Sequence, residues 1–454
     1  MPRKSPRRVR GQLIVRNDAD TDGRLGSALT PRRRWYLWLT LISLGGLAVN
    51  VAYVLISKRH TAPAGDAFYY HFQANLIVEG RGWFIDPAVY LQPHHPTVPA
   101  AEHAPLWTLV LALAAVLGLR SYLSQLIWGC LVGAGAVAVT GLAAREVAGR
   151  RAGLIAAALA ALYPNYWLNT GTGLSETLVL LLVAAVVLAS YQLWRRPTFP
   201  KVVMLGILCA LTALTRSEQA ILIVAVMVPL VLVLRNVTLG RRLALAGVGI
   251  LAALFIMAPW VGFNLSRFSQ PEFLSAELGS ALVTANCPPT YFGPKLGYWS
   301  LSCLSANQTS GDESARDAQH RHFAWHYVTS HESRLPIVLA ARVGREFGLF
   351  APLQQVRFDN RIEGRALAPT QVGLVMYYVM AVTSVVGFFS LRRRGVTVVP
   401  FIGLLIEVLL TAALLYGTTR FRTPLEVGLV VLTAVVVDDH LPVRGAARAQ
   451  TVAS

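Results

Sequence analysis

Asp66 is the acid that the sequence places best for chemistry, because it lies between the first long apolar run and the aromatic stretch FYYHF. A carboxylate at such a boundary can take the proton of a hydroxyl group while that hydroxyl attacks another centre. The same side chain could instead cap an interfacial helix, since Phe68, Phe72 and Leu76 recur at helical spacing. The two roles are compatible, and we expect Asp66 to act as a general base.

Two further acids stand at the start of apolar segments. Glu176 opens a long run, where the helix dipole favours an anion, but an acid entering hydrocarbon is costly and is a candidate for function. Glu102 and His103 open a shorter run. For this pair, a contact with a metal or a substrate hydroxyl and a place in a solvated turn are equally compatible with the sequence.

Arg216 and Glu218 interrupt an apolar stretch, which indicates either a local ion pair or a binding site. Arginine offers a planar fork of donors that matches phosphate and stays charged when it is partly desolvated. We therefore favour a phosphate contact for Arg216. A membrane-embedded lipid phosphate would need such a cation at a span end, on the same side of the bilayer as the general base.

The large polar stretch after residue 262 contains two pairs of reactive side chains. His322 and His326 are four residues apart and would share a helical face, a spacing that suits zinc, although two histidines alone also fit a solvated helix. Cys287 and Cys303 are expected to form a disulfide if this stretch is exported. The segment 335–350 is predicted to be an amphipathic helix on the outer leaflet, with Arg342 and Arg345 towards headgroups or phosphate.

The composition identifies a polytopic all-α membrane protein. Of the 454 residues, 54% are hydrophobic and only 14% are charged, and the mean hydropathy is +0.51. The net charge of +18 would suggest nucleic acid in a soluble protein, but here the basic residues cluster between apolar runs and act as topology signals. Nucleic acid is therefore not an expected partner.

About ten transmembrane helices are predicted, together with interfacial or re-entrant segments. Eight long runs and two shorter ones are the candidates: 35–56, 122–144, 152–168, 174–194, 202–214, 219–234, 243–262, 370–391, 396–416 and 424–440. The segment 104–118 is short for a span and is expected to be re-entrant or interfacial, although a buried core helix would look similar. The positive-inside rule puts both termini in the cytoplasm and the candidate acids on the outer face.

These spans divide the chain into consecutive segments. The predicted segments are a disordered basic cytoplasmic tail (1–34), a membrane module (35–262) with a first outer loop (57–121), a large outer loop (263–369), C-terminal transmembrane helices (370–440) and a cytoplasmic tail (441–454).

The order of the motifs GDAFYY, EHAPLW, GLSETL, ALTRSE and TRFRTPLE resembles the GT-C membrane glycosyltransferases of the protein mannosyltransferase and lipid A aminoarabinose transferase type. The resemblance covers roughly residues 35–235 and returns near 417–426. It implies that Asp66 is the catalytic base and Glu176 a second acid facing the cavity. It also implies that Arg216 lies near the donor phosphate, and that Arg420 takes the basic position of the last motif.

The resemblance extends to further contacts and to a metal. We expect Arg422 to join the phosphate site, and four other residues to contact substrate, namely Tyr69, Glu102, His103 and Glu218. A divalent metal is compatible with the family but not required, and its candidate ligands are Glu102, His322 and His326. Ala67 stands where the family often has a second acid, which argues against a paired-acid metal site there.

The expected activity is an inverting transfer of one sugar from a polyprenyl-phosphate donor to a glycan, lipid or protein acceptor, at the outer face of the plasma (inner) membrane and in service of the cell envelope. A lipid-linked sugar transporter or flippase is the first alternative. Such a transporter favours ionisable residues near mid-span and broken helices in two similar halves, which the sequence lacks. A non-catalytic membrane scaffold is the second alternative.

Overall fold

A computed structural model describes residues 30–93 and 96–441 of the chain. The predicted tails 1–34 and 441–454 therefore lie almost wholly outside the described residues. Within those two ranges the protein is helical, and β structure is limited to an isolated bridge between Ile85 and Pro99. The all-α prediction is confirmed.

Helices follow one another with short connections. The first half of the chain contains α1 (Pro31–Ser57), α2 (Asp66–Val78), α3 (Pro87–Tyr90), α4 (Leu106–Val116), α5 (Tyr122–Ala148), α6 (Arg150–Leu162), α7 (Pro164–Thr170), α8 (Glu176–Arg195), α9 (Phe199–Ala213), a 3-10 turn (Ser217–Ala220), a π-helical turn (Ile223–Met227) and α10 (Val228–Leu232). The second half contains α11 (Leu239–Arg267), α12 (Leu278–Ala285), α13 (Pro288–Tyr291), α14 (Leu301–Ala306), α15 (Glu313–Ser330), a 3-10 turn (Glu332–Arg334), α16 (Leu335–Glu346), α17 (Pro352–Arg361), α18 (Leu367–Arg393), α19 (Val399–Leu414) and α20 (Thr423–His440).

In the described part of the chain, five helices are long and apolar enough to cross a membrane: α1, α5, α8, α11 and α18. The other five predicted spans are also helical, but they are shorter, interrupted or more charged. The run 152–168 is divided between α6 and α7, because Pro164 cannot continue the helix that precedes it. The segment 104–118 gives α4, whose 11 residues are fewer than the roughly 20 that a span needs.

Small residues let the membrane helices approach closely. α5 packs against α1, α6 and α8, and α20 packs against α6 and α18. At Gly141 of α5, an added Cβ would lie 2.8 Å from a methyl group of Leu39 and 3.0 Å from the Cβ of Ala157. Such contacts are the usual means of holding helices together in a bilayer, where burial of apolar surface gives little driving force. The packing fixes the helix ends that carry the candidate site residues.

Residues 268–366, which belong to the predicted large outer loop, form the helices α12 to α17. Cys287 and Cys303 are joined by a disulfide with a Cα–Cα distance of 6.2 Å. α16 departs from the prediction, because Arg342 and Arg345 do not face headgroups but are 2% and 1% exposed. The guanidinium of Arg342 donates to the carbonyl oxygens of Ala285 and Ala413, 2.9 Å away in both cases. Both carbonyls lie at the C-terminal ends of helices, which lack intrahelical donors.

We expect the substitution Gly387→Ala to destabilise the protein, because its Cβ would lie 2.2 Å from the carbonyl oxygen of Leu432 where α18 crosses α20. Overpacking of this kind costs about 1–3 kcal/mol. The thermal unfolding midpoint in detergent should fall, whereas Gly262→Ala in α11, with nothing within 4 Å of the new Cβ, should leave it unchanged. Equal midpoints for the two variants would contradict this close packing of α18 on α20.

Candidate active site

Asp66 is the first residue of α2, and a strained turn places it there. Gly65 has φ 56° and ψ −135°, a conformation that residues with a Cβ rarely adopt. The turn aims the Asp66 carboxylate at Arg420, whose Nη2 lies 2.8 Å from Oδ2. Nε2 of His103 lies 3.9 Å from the other carboxylate oxygen. Two groups that can carry positive charge therefore flank Asp66.

Carboxylates and guanidinium groups alternate along a chain that starts at Asp66. Arg420 donates through Nε to Oε1 of Glu176 at 2.8 Å, and Nη1 of Arg216 donates to the same oxygen at 2.7 Å. Arg216 also donates through Nε to Glu218 at 2.5 Å. The order is Asp66, Arg420, Glu176, Arg216 and Glu218, and we call this the ion-pair chain.

The ion-pair chain joins four segments that are far apart in sequence. Asp66 and Glu176 are the first residues of α2 and α8, where the helix dipole stabilises their negative charge. Arg216 has an extended backbone between α9 and the following 3-10 turn. Arg420 belongs to the turn that precedes α20. Helix ends thus supply each charged side chain.

Burial and pairing act in opposite directions on the charges of this chain. Burial alone would raise the pKa of Asp66, but the positive charges of Arg420 and His103 outweigh it and hold this pKa below its usual range. Burial also works against the charged form of Arg216, yet Glu218 and Glu176 raise the pKa of its guanidinium. The carboxylate of Asp66 is therefore ionised but already engaged.

His103 is held among aromatic rings and acids. The ring of Tyr70 stacks on it at 4.8 Å and the edge of Tyr69 meets it at 5.2 Å. Its Nδ1 lies 2.9 Å from Oε2 of Glu277, in the loop before α12. Burial would lower the pKa of His103, but Glu277 and Asp66 raise it to about 10. The imidazole is thus a cation at neutral pH.

Two cavities meet at Asp66. The smaller is a narrow cleft of about 250 Å³, part of it open to solvent, and its lining is mainly polar, with Asp66, His103, Arg216, Ser217, Ser275 and Glu277. The larger has a volume of about 930 Å³, and its lining includes Asp66, Tyr122, Trp299, Arg361, Glu363 and Arg420. We call them the polar pocket and the wide cavity. Asp66 is the residue that lines both.

Sequence reasoning missed two carboxylates at these cavities. Glu277 and Glu363 lie in outer segments without periodicity or a recognisable motif, so only the fold reveals them. Glu363 pairs with Arg365 at 3.1 Å and lies 3.9 Å from Nε of Arg420. Burial raises the pKa of Glu363 to about 7.

The structure does not bring every predicted site residue to Asp66. Arg422 is 1% exposed and turns away to pair with Glu426 at 2.7 Å, with its guanidinium 3.5 Å above the ring of Tyr377. The side chain of Glu102 is exposed, although its neighbour His103 is buried. Tyr69 is buried behind His103, and Tyr70 takes the place at the polar pocket.

The predicted metal ligands are not gathered at one place. His322 and His326 are exposed on α15. Among residues 30–93 and 96–441, no three His, Cys, Asp or Glu side chains converge in a way that could hold a metal ion. The carboxylates of the ion-pair chain instead have arginine partners.

Comparison with known proteins agrees with the three middle motifs, EHAPLW, GLSETL and ALTRSE, and with the fold. A family model described as dolichyl-phosphate-mannose-protein mannosyltransferase matches residues 102–263. No curated protein sequence gives a significant match.

The solved structures that resemble this chain are distant in sequence. The archaeal oligosaccharyltransferase AglB from Archaeoglobus fulgidus, in complex with an inhibitory peptide and a dolichol-phosphate, has a TM-score of 0.53 and 18% identity over 93% of this chain and 52% of that chain. The oligosaccharyltransferase of the same organism in complex with Zn and sulfate gives 0.52 and 16%, over 88% and 49%. ArnT from Cupriavidus metallidurans bound to undecaprenyl phosphate gives 0.42 and 16%, over 89% and 78%.

This chain spans about half the length of the oligosaccharyltransferase structures that it matches. At these identities the similarity establishes the fold, while activity and substrates need their own argument. The helical architecture, the long apolar helices and the order of the motifs lead to one conclusion. The chain is a polytopic membrane protein that shares the fold of the archaeal oligosaccharyltransferase structures.

Proposed function

We propose that this protein is an inverting glycosyltransferase that moves one sugar from a polyprenyl-phosphate donor to a hydroxyl of a glycan, lipid or protein acceptor. The observation that carries the proposal is the ion-pair chain, which gathers a candidate base and two candidate phosphate ligands from separate helix ends beside two cavities. A base next to paired arginines is what a sugar transfer from a lipid phosphate requires.

The reaction uses Asp66 as the general base. The oxygen of the acceptor hydroxyl attacks the anomeric carbon of the donor sugar, while the hydroxyl proton passes to the Asp66 carboxylate. The bond between the anomeric carbon and the phosphate oxygen breaks, and its electron pair stays on the leaving polyprenyl phosphate. A single displacement of this kind inverts the anomeric centre. Asp66 suits this role because it lines both cavities and can therefore reach an acceptor on one side and a donor on the other.

Arg420 and Arg216 stabilise the leaving phosphate. The donor carries one negative charge on its phosphodiester and the product carries a second, so cations near that oxygen bind the transition state more strongly than the ground state. The side chains of Arg420 and Arg216 are largely buried, with 14% and 15% of their surface exposed, respectively. Both guanidinium groups pair with Glu176. Glu176 thus serves as the second acid, which holds the two arginines side by side.

Arg420 also couples the two substrates. In the free protein its guanidinium pairs with Asp66 at 2.8 Å, which weakens Asp66 as a base. A donor phosphate that shares the guanidinium brings negative charge to the site and raises the basicity of Asp66. The base becomes effective when the sugar to be attacked is in place.

The positions of basic clusters support a reaction at the outer face. α1 and α8 each have one end at the site, close to Asp66 and Glu176, and Arg32 and Arg195 near the other end. Because arginine clusters favour the cytoplasmic side, the site belongs on the outer face of the plasma membrane, with both termini in the cytoplasm. The distant oligosaccharyltransferase with bound dolichol-phosphate supports a lipid phosphate as the donor's anchor.

The donor set at the site does not fit a resident divalent metal. A hard cation prefers several carboxylate oxygens free of other cations, whereas Asp66 and Glu176 each accept hydrogen bonds from arginine. One distant oligosaccharyltransferase structure contains Zn and sulfate. We derive no step through a metal in this chain.

We expect Asp66→Asn to reduce catalysis without loss of lipid-phosphate binding, and Arg420→Gln to weaken that binding. Asp66→Asn should lower kcat for transfer from a radiolabelled polyprenyl-phosphate sugar by about 10²–10⁴-fold. This variant should bind polyprenyl phosphate at least as tightly as the wild type does, because the substitution releases Arg420. Arg420→Gln should weaken that binding about tenfold or more. Both quantities can be measured on purified protein in lipid nanodiscs.

The matched control is Glu79→Gln, since Glu79 lies just beyond α2, near the end opposite Asp66, and its side chain is exposed. It should behave as the wild type in both assays. Full transfer by Asp66→Asn would remove this residue from the mechanism. A protein that binds and translocates the donor without any transfer would instead be the transporter.

The pH dependence of the reaction should differ between the free and donor-bound protein. The pKa of Asp66 is held low in the free protein, so the acidic limb of kcat/KM for the donor should lie at low pH. The bound phosphate adds negative charge and shares Arg420, so the acidic limb of kcat should shift to higher pH. Initial rates from about pH 3 to 8 test this shift, since kcat should fall at the acidic end of the range where kcat/KM for the donor is still flat. Coincident limbs or the opposite order would contradict the coupling through Arg420.

A further inference from the structure

His103 is buried at the site and is held in place by two aromatic rings. Only 4% of the residue is exposed, and its ring is enclosed by the face of Tyr70 at 4.8 Å and the edge of Tyr69 at 5.2 Å. The two ring nitrogens are the groups of His103 that can form hydrogen bonds. A cation is stabilised by the face of an aromatic ring, so the stacked ring of Tyr70 suits the protonated form.

The two nitrogens have different surroundings. Nδ1 donates to Oε2 of Glu277 at 2.9 Å. Nε2 is buried and has no hydrogen-bond partner among the described residues, and the nearest acid on its side is Asp66 at 3.9 Å. His103 lines the polar pocket together with Arg216. A buried donor without an acceptor costs free energy, which an anion entering the pocket would recover.

Glu277 is itself held in place by its loop. The backbone N–H of the preceding Ala276 donates to the carbonyl oxygen of Ala101 at 2.7 Å, two residues before His103. The hydroxyl of Ser275 donates to that of Ser217 at 3.0 Å, next to Arg216. The loop therefore ties Glu277 to the two segments that carry His103 and Arg216.

The match to the mannosyltransferase family model ends at residue 263, before this loop. Neither that match nor the motifs of the sequence assign a role to Glu277. Its role has to follow from the geometry around His103.

We propose that Glu277 is a positioning residue, whose hydrogen bond to Nδ1 holds the His103 imidazolium with its Nε2–H towards the polar pocket, as a third cation for the donor phosphate. The inference rests on the proposed function, since it assigns the phosphate of the lipid-linked donor to this pocket. A carboxylate that accepts from one ring nitrogen fixes the orientation of a histidine and favours its protonation. Without Glu277, the imidazole would lose the partner that fixes its orientation and favours its protonation.

The test uses unsubstituted polyprenyl phosphate as the probe, with the full-length protein in nanodiscs. Glu277→Gln should weaken binding of the probe about tenfold, because an imidazole without its carboxylate partner loses its fixed orientation and its charge-assisted hydrogen bond to the phosphate. The KM for the donor should rise by a similar factor, while kcat and the KM for the acceptor change less than about threefold. A merely structural loss of the loop would instead reduce kcat and both KM values together.

Further variants separate positioning from loop stability. His103→Lys supplies a cation that does not depend on Glu277, so adding Glu277→Gln to it should change probe binding less than about twofold. Glu277→Asp, which keeps the charge on a shorter side chain, should give an intermediate loss and serves if Glu277→Gln does not fold. Glu332→Gln, an exposed acid on the same outer segment, is the matched control and should bind the probe as the wild type does.

The outcomes distinguish this inference from the proposed function. If the wild type binds the probe and Arg420→Gln weakens binding, but Glu277→Gln does not, the role of Glu277 is wrong and the glycosyltransferase proposal stands. Equal losses from Glu277→Gln in the wild-type and His103→Lys backgrounds would also overturn the positioning role. A wild type that does not bind polyprenyl phosphate at all would overturn the proposed function and this inference with it.

Discussion

The position of Arg420 between Asp66 and Glu176 is the constraint on which the site depends. A guanidinium group that is largely buried must have anionic partners, because the cost of removing it from water exceeds what weak contacts return. Arg420 meets this need with two carboxylates at 2.8 Å each, and both are first residues of helices. The turn before α20 and the starts of α2 and α8 are therefore held in one arrangement.

The same constraint makes the site responsive to an anion. Glu176 accepts from two arginines through one oxygen, and its other oxygen is buried without a partner among the described residues. A phosphate offers several acceptor oxygens and matches the fork of an arginine, so it competes well for donors that carboxylates hold in the free protein. In the proposed reaction, the free protein would therefore keep its arginines paired and Asp66 engaged until the donor phosphate binds.

Much of the site could be predicted from the sequence, because the charged residues that form it lie at the ends of long apolar runs. Asp66, Glu176, Arg216 and Arg420 could be grouped from topology alone, since span ends on one side of a bilayer are candidates to meet. The predicted spans likewise coincide with helices, because hydrophobic length is a strong signal.

Other features depended on how the chain folds outside the membrane. Arg422 is two residues from Arg420 and is an arginine of the same motif, so the sequence does not distinguish the two. At the start of α20, however, the side chain of Arg422 turns towards Glu426. Glu277 and Glu363 could not be singled out, because an outer segment without periodicity gives no spacing from which to infer a contact. Arg342 was expected at headgroups and instead binds free carbonyls at helix ends, a need that appears only once the helices are placed.

Two of the helices next to the site are shorter than a full membrane span. The 15 residues of α9 rise only about 22 Å, less than the roughly 30 Å of a hydrocarbon core, so the turn that carries Arg216 begins before a full span would end. The polar turn after it is held by a buried hydrogen bond at 2.7 Å from Gln219 to Glu407 of α19, itself only 16 residues long. A pair of full-length spans would carry Arg216 out to water, where a guanidinium interacts weakly with phosphate. In the proposed reaction, the short helices would hold Arg216, paired with Glu176, where it can meet a lipid phosphate.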